Sequence, residues 1–251
     1  MTGPGLPAFF RLVQHQRIDS TNEAAKTLAA AGAPEGTVVW ALEQLAGKGR
    51  RGRSFHSPPG NLYVTFLLRP ECPPATGAQV TFVAAIAAAE TVAALVPPAR
   101  RVELKWPNDL LVDGRKVAGI LLEASAEPAR LGWLVVGIGI NLRHSPPELG
   151  AVATNLRDAG AGDIPVEAAL ERLAARFLHW YQRWQSDGFA PVRERWLALA
   201  RGLGEAIEVR LDDRAIRGRF ADLDDNGALV LELPLGGRQL VNAGDVFFPG
   251  Q

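Results

Sequence analysis

Apolar residues recur at helical spacing through Ala24, Ala25, Leu28 and Ala29, directly after Ser20-Thr21-Asn22-Glu23. The Ser-x-x-Glu spacing is that of a capping box, so a helix is predicted from about Thr21 to Ala31, stopped by Gly32 and Pro34. Two apolar runs, Thr37 to Leu42 and Asn61 to Leu68, read as strands. Pro70, Pro73 and Pro74 then interrupt the chain. The stretch from Gly77 to Leu95 is rich in Ala, Val and Ile on every side, which predicts a second helix buried against a sheet and ending before Pro97-Pro98. Val102 to Trp106 reads as a short strand. Asp109 to Val112 and Lys116 to Glu123 read as a hairpin about an Asp113-Gly114 turn. Trp133 to Leu142 is another strand, interrupted by Gly137 and Gly139. An amphipathic helix is predicted from Val166 to Trp184 through Leu170, Leu173, Phe177 and Leu178, and another from Pro191 to about Arg201.

After Gly204 the texture changes. Short alternating runs (Ile207 to Leu211, Ile216 to Leu223, Ala228 to Leu233, Gln239 to Val241, Val246 to Phe248) are separated by Asp212-Asp213, Asn226-Gly227 and Gly236-Gly237. Strands at that spacing predict a small β-barrel. The expected architecture is an α/β chain of the α+β kind: a mixed sheet with flanking helices over residues 1–203, and a small barrel over residues 204–251.

Composition narrows the partners. With 27 basic and 27 acidic residues in 251 the net charge is zero, which argues against nucleic acid as the main partner. One cysteine, Cys72, excludes an internal disulfide and suits a reducing cytoplasm. His15, His56, His144 and His179 are scattered without metal-ligand spacing. Met1 to Phe10 has no signal-peptide pattern. Val80 to Val96 comes nearest to a membrane span but is interrupted by Thr81, Glu90 and Thr91.

The chemistry concentrates in Gly47-Lys48-Gly49-Arg50-Arg51-Gly52-Arg53, three glycines and four cations between two strands. Alternate glycines let backbone N–H groups approach a ligand, and cations beside them suit a phosphate or a developing oxyanion. A solvated basic turn and an RNA contact are the competing readings. A Walker A loop is excluded, since no Gly-Lys-Ser/Thr ending is present, and Ser57-Pro58-Pro59-Gly60 blocks the helix a Rossmann turn requires. Three further polar segments interrupt apolar strands or border them: Ser20-Thr21-Asn22; Lys105-Trp106-Pro107-Asn108-Asp109 with Gly114-Arg115-Lys116; and Gly137-Ile138-Gly139-Ile140-Asn141. The hairpin should bring Lys116 close to Asp109, where its charge could neutralise developing negative charge.

These segments, with Asp19, Gln44 and Lys116-x-Ala118-Gly119-Ile120-Leu121-x-Glu123, come in the order found in the catalytic region of biotin–protein ligases, which the sequence resembles over about half of its length. The resemblance implies a class II synthetase-like catalytic domain with an SH3-like barrel. It also implies a two-step reaction, in which biotin and ATP give biotinyl-adenylate and a lysine of a biotin carboxyl carrier protein domain then takes the biotinyl group. By the same resemblance Ser20, Thr21, Asn22 and Gln44 would meet biotin's ureido ring. Gly47, Gly119 and the backbone groups of Lys48, Gly49 and Arg50 would lie along bound biotin. Arg50, Arg53 and Lys116 would face the carboxylate and α-phosphate, with Arg50 and Lys116 catalytic. Phe55, Asn108, Asp109 and Asn141 would border the nucleotide. Mg²⁺ would be held mainly by ATP phosphates, with Asp109 a candidate ligand. Trp106 reads as a core or pocket-wall residue.

Two positions depart from the family pattern: Lys48 stands where Arg is common, and Phe55 where some members have a Trp that stacks on adenine. Only 19 residues precede Ser20, so the expectation is a monofunctional ligase without a DNA-binding domain. A homodimer paired through a sheet edge is compatible with the resemblance. Lipoate or octanoate ligation on the same fold is the alternative activity.

Overall fold

A computed structural model describes residues 3–126 and 130–248. Its larger sheet has seven strands: β1 (Arg11–Ile18), β2 (Thr37–Gln44), β3 (Leu62–Leu68), β4 (Val102–Lys105), β5 (Asp109–Val112), β6 (Arg115–Ala126) and β7 (Leu131–Ile140). Their order is β1-β2-β3-β7-β6-β5-β4, parallel only between β1 and β2. The parallel step is made by the crossover through helix α1 (Thr21–Ala30). Residues four apart share a helix face, so Thr21, Ala25 and Ala29 are buried together, and Asn22 beside them. Ala25 and Ala29 close a small apolar cluster with Val39, Leu67 and Val135 on one face of the sheet. The opposite face carries the main core, under helices α3 (Val80–Ala93) and α4 (Val166–Asp187), where Phe66 and Phe177 stack at 4.3 Å. The stretch Pro74–Ala93 is long and apolar enough by composition to cross a membrane, but 72% of its apolar window is buried inside the fold.

The sheet edge before Ser20 is formed by β1, a strand absent from the sequence expectations. Two sequence expectations need correction. The second helix is two: Pro74 opens the short α2 (Pro74–Gly77) as an N1 residue, and the break falls at Ala78-Gln79. The Gln79 side chain is drawn to Asp225 O at 3.0 Å and Trp184 Nε1 at 2.9 Å, contacts that a continuous helix pattern does not disclose. The last helix is also shorter than expected: α5 (Ala190–Leu197) ends before Leu104 N takes the carbonyl of Leu199 at 2.8 Å.

The C-terminal unit is an antiparallel five-stranded sheet of β8 (Ala206–Arg210), β9 (Ala215–Leu223), β10 (Leu229–Glu232), β11 (Arg238–Val241) and β12 (Asp245–Phe247), ordered β11-β10-β9-β8-β12. It shares the main core through Phe220, Leu229 and Leu231. Buried Trp106 donates from Nε1 to Gly227 O at 3.2 Å, so this tryptophan is a docking contact for the barrel and not part of the pocket wall. Gly227 has φ +86°, and a Cβ there would meet the Phe82 ring at 2.4 Å. Only glycine allows both that conformation and that approach.

Candidate active site

A cavity of about 440 Å³ opens between α1, the basic loop and the β5–β6–β7 end of the sheet. Of the residues expected at the site, Ser20, Thr21, Asn22, Gln44, Lys48, Gly49, Arg50, Arg53, Phe55, Asn108, Asp109, Lys116, Gly119 and Asn141 all line it. Gly47 does not. It lies beneath the loop, where a Cβ would sit 2.4 Å from Phe55 O and 2.6 Å from Ser57 Oγ. Its role is to let β2 pass close under the loop it launches.

At one end of the cavity the polar groups are arranged by one another. Ser20 caps α1, its hydroxyl 3.5 Å from Glu23 N. The Glu23 carboxylate turns to Lys26 at 2.7 Å and Lys48 at 2.5 Å, so it serves as an ion-pair partner here. Thr21 donates from N and Oγ1 to Gln44 Oε1 at 2.8 and 3.0 Å, and Gln44 Nε2 donates to Ser57 Oγ at 3.0 Å. Asn22 Nδ2 is taken by Glu123 Oε2 at 2.8 Å and Leu121 O at 3.3 Å, and Asn22 Oδ1 lies 2.7 Å from the buried Thr65 hydroxyl. Both amide protons of Asn22 are therefore spent inside the protein, which makes it a scaffold for its neighbours. Among the described residues, Ser20 Oγ–H and the second proton of Gln44 Nε2 have no acceptor and are left for a ligand. The amide fits because residue 137 is glycine: a Cβ there would stand 2.2 Å from Asn22 Oδ1.

The opposite end is cationic. The pairing of β5 with β6 runs Asp109↔Gly119 and Leu110↔Ala118 but Leu111↔Lys116, leaving Val117 as a bulge. In an unbroken strand residues 116 and 119 would face opposite sides; one extra residue turns both to the cavity. Lys116 Nζ consequently reaches Asp109 Oδ1 at 2.5 Å, while Lys105 lies 3.6 Å from Oδ2. The expected Lys116–Asp109 approach is present. Arg50, half-buried, donates to Asn108 Oδ1 at 3.1 Å, and Asn108 Nδ2 donates to Ile120 O at 2.7 Å. Burial disfavours the Arg50 charge and nearby Asp245 and Asp109 support it; a guanidinium stays cationic in either case. Asn141 is 3% exposed and lines the cavity, with Nδ2 bonded to Thr154 O at 3.0 Å and Oδ1 buried without a partner. An orphaned acceptor facing a cavity marks a place for a ligand donor.

Phe55 packs its ring over Gly139 and Gly119, with atoms 2.5 and 3.5 Å from where their Cβ atoms would be, and stands edge-on to Tyr63 at 6.4 Å. Burial pushes the Tyr63 phenol up, the hydrogen bond with Asn61 only partly offsetting it, so it stays neutral. Sequence reasoning missed Tyr63, Glu148, Leu149 and Asp245, all of which line the cavity. Thr65 was missed too, although a lone hydroxyl in the apolar run Leu62–Leu68 was its signal. Among the described residues no group of three or more His, Cys, Asp or Glu could hold a metal ion, and Asp109 is engaged by two lysines. The donor set does not fit a protein-built Mg²⁺ site.

The family model described as "Biotin/lipoate A/B protein ligase family" matches residues 6–198, and that of the "Biotin protein ligase C terminal domain" residues 202–248. The chain is 42% identical over 240 residues to a biotin–[acetyl-CoA-carboxylase] ligase of Paracoccus denitrificans, covering 93% of this chain and 99% of that protein. It is 34% identical to the bifunctional ligase/repressor BirA of Bacillus subtilis, covering 92% of this chain and 72% of that one. Among solved structures, a biotin protein ligase from Aquifex aeolicus in complex with biotin and ATP superimposes with TM-score 0.79 at 27% identity, over 94% of this chain and 97% of the other. The chain therefore belongs to the biotin/lipoate A/B protein ligase family.

Proposed function

We propose that the protein is a biotin–[acetyl-CoA-carboxylase] ligase, which activates biotin with Mg-ATP and transfers it to a lysine of the carboxylase's carrier domain. The observation that carries this reading is one cavity with a neutral, hydrogen-bonding end at Ser20 and Gln44 and a cationic end at Lys116 and Arg50. A molecule with a cyclic urea at one end and a carboxylate at the other matches both. The ring C=O can accept from Ser20 Oγ and Gln44 Nε2, and Asn22 holds that edge rigid. The aliphatic chain would lie over Gly119 and Gly139 beside Phe55, which places Phe55 against the chain as well as near the nucleotide.

In the first step a biotin carboxylate oxygen attacks the α-phosphorus, the bond to pyrophosphate breaks, and biotinyl-adenylate forms. Lys116 and Arg50 stabilise the negative charge that accumulates between carboxylate and phosphate, in a site where water screens weakly. Asn141 Oδ1 accepts a donor of the adenosine. In the second step the acceptor ε-amine attacks the acyl carbon, AMP leaves and the amine loses a proton. Between the two steps the basic loop covers the anhydride and excludes water. We assign the catalytic unit to residues 1–203 and the barrel to residues 204–251.

ATP–pyrophosphate exchange run with biotin, lipoate and octanoate in parallel tests the proposal. Exchange confined to biotin is the expected result; exchange with lipoate instead would move the chain to the other branch of its family. A second prediction probes the urea-recognising end. Gly137→Ala would drive a Cβ to 2.2 Å from Asn22 Oδ1, and Asn22 is tethered on both sides. The expected outcome is a biotin KM raised about tenfold or more, with a stability loss of about 1–3 kcal/mol. Unchanged KM in steady-state kinetics would detach Asn22 from recognition.

A further inference from the structure

The basic loop places Lys48, Arg50, Arg51 and Arg53 within six residues, and its short turn Arg50–Gly52 contains no buried residue. Like charges this close repel, and the loop has no apolar anchor of its own there. Its two arms are tied to each other, with Gly49 N bonded to Arg53 O at 2.7 Å and Phe55 N to Gly47 O at 2.8 Å. Carboxylates from two separate parts of the fold supply the compensating charge. At the near end Glu23, on α1, meets Lys48 at 2.5 Å. Glu23 is itself fixed by Lys26, which bridges at 2.9 Å to Glu123, the residue that holds Asn22. At the far end Asp245, the first residue of β12 in the barrel, pairs with Arg51 at 3.3 Å and more closely with Arg53, and Arg51 also meets the exposed Asp212 at 3.3 Å. Its position is set by the β12–β8 pairing and by the docking of the barrel on Trp106. Among the described residues Arg50 alone of the four cations has no carboxylate within salt-bridge distance, and it points to Asn108 across the cavity.

We propose that Glu23 and Asp245 are positioning residues that clasp the basic loop at its two ends, neutralising Lys48, Arg51 and Arg53 and leaving Arg50 as the cation presented to the anionic intermediate. The barrel thereby acts as part of the lid, 192 residues from the arginine it holds. This deepens the ligase reading and rests on it for the identity of the intermediate, but the clasp itself is a property of the free protein and is tested there first.

Limited trypsin digestion of the free full-length protein reads the loop directly. Asp245→Asn is expected to raise the rate of nicking at Arg51 and Arg53 about fivefold and Glu23→Gln about twofold, the range for partly exposed ion pairs. Asp245→Glu should restore most of the protection. In the second arm the enzyme is loaded with biotin and Mg-ATP, and release of the acyl-adenylate is followed after gel filtration. Release should accelerate by similar factors in Asp245→Asn and Glu23→Gln, and return towards the wild-type rate in Asp245→Glu. Nicking at wild-type rate in Asp245→Asn, or no recovery in Asp245→Glu, would overturn the clasp. Failure of the wild-type protein to form any acyl-adenylate would overturn the ligase reading alone, because the digestion arm does not depend on it.

Discussion

Replacing Lys116 with alanine should lower the rate of adenylate formation about 10²–10³-fold, equivalent to roughly 3–4 kcal/mol of lost transition-state stabilisation. The expectation has two physical parts. The first is the missing cation itself, aimed into the cavity by the bulge at Val117. The second is the carboxylate it leaves behind. Asp109 is 16% exposed at its side chain, and without Lys116 its charge would be offset only by Lys105 at 3.6 Å and, from further off, by Arg50 among the described residues. The variant therefore removes a positive charge and uncovers a negative one where biotin's carboxylate and the phosphates must meet. A test follows from that second part. Asp109→Asn added to Lys116→Ala should recover part of the lost rate, although Asp109→Asn alone should not accelerate the enzyme. Folding should change little, since Lys116 is a partly exposed strand residue whose backbone bond from Thr154 N survives the substitution. Single-turnover formation of biotinyl-adenylate, with a thermal melt beside it, separates the two quantities. Equal losses in rate and stability would make Lys116 a structural residue.

The parts of this molecule legible in its sequence are those whose determinants are local. Ser20 through Asn22 could be placed because a cap and a helical apolar stripe sit in adjacent residues. The Asp113-Gly114 turn could be placed because both residues take positive φ, a conformation that this pair tolerates. Edge strand β1 was invisible for the opposite reason. Arg11–Ile18 has no fully buried side chain; its backbone ladder to β2 holds it, with only Leu12 and Val13 packed, partly buried, against the apolar clusters on the sheet's two faces. The short helices Pro147–Val152 and Arg157–Ala161 follow tertiary contacts, such as Thr154 N to Lys116 O and Leu156 N to Asn141 O, that no local pattern encodes. Asp245 shows the limit most clearly. In sequence it is an acid at the start of a short strand, and it becomes part of the site only when the barrel docks. Gly47 shows the converse, a motif glycine whose position in the fold is beneath the loop and outside the cavity.

Replacing Arg50 with glycine should speed escape of the acyl-adenylate about 10–100-fold while leaving its formation less affected than Lys116→Ala does. A half-buried guanidinium hydrogen-bonded to a charged ligand is worth roughly 1.5–3 kcal/mol, and its loss falls on the state that carries the most negative charge. Glycine adds a second effect. Arg51 already holds φ at 55° and Gly52 at 71°, so a third permissive position would free the turn that folds the loop over the site. The two contributions can be told apart. Arg50→Ala removes the charge but not the backbone restraint, and should release the intermediate more slowly than Arg50→Gly. Arg50→Lys keeps the charge but cannot reproduce the planar contact with Asn108 Oδ1, and should fall between wild type and alanine. An escaped mixed anhydride acylates exposed amines, so Arg50→Gly should also biotinylate bystander proteins that the wild-type enzyme leaves untouched. Incubating each variant with biotin, Mg-ATP and a non-acceptor protein, then quantifying bound biotin, measures that escape. Labelling at the wild-type level in Arg50→Gly would mean that the loop retains the intermediate without this arginine. Retention would then have to come from the contacts at the loop's two ends.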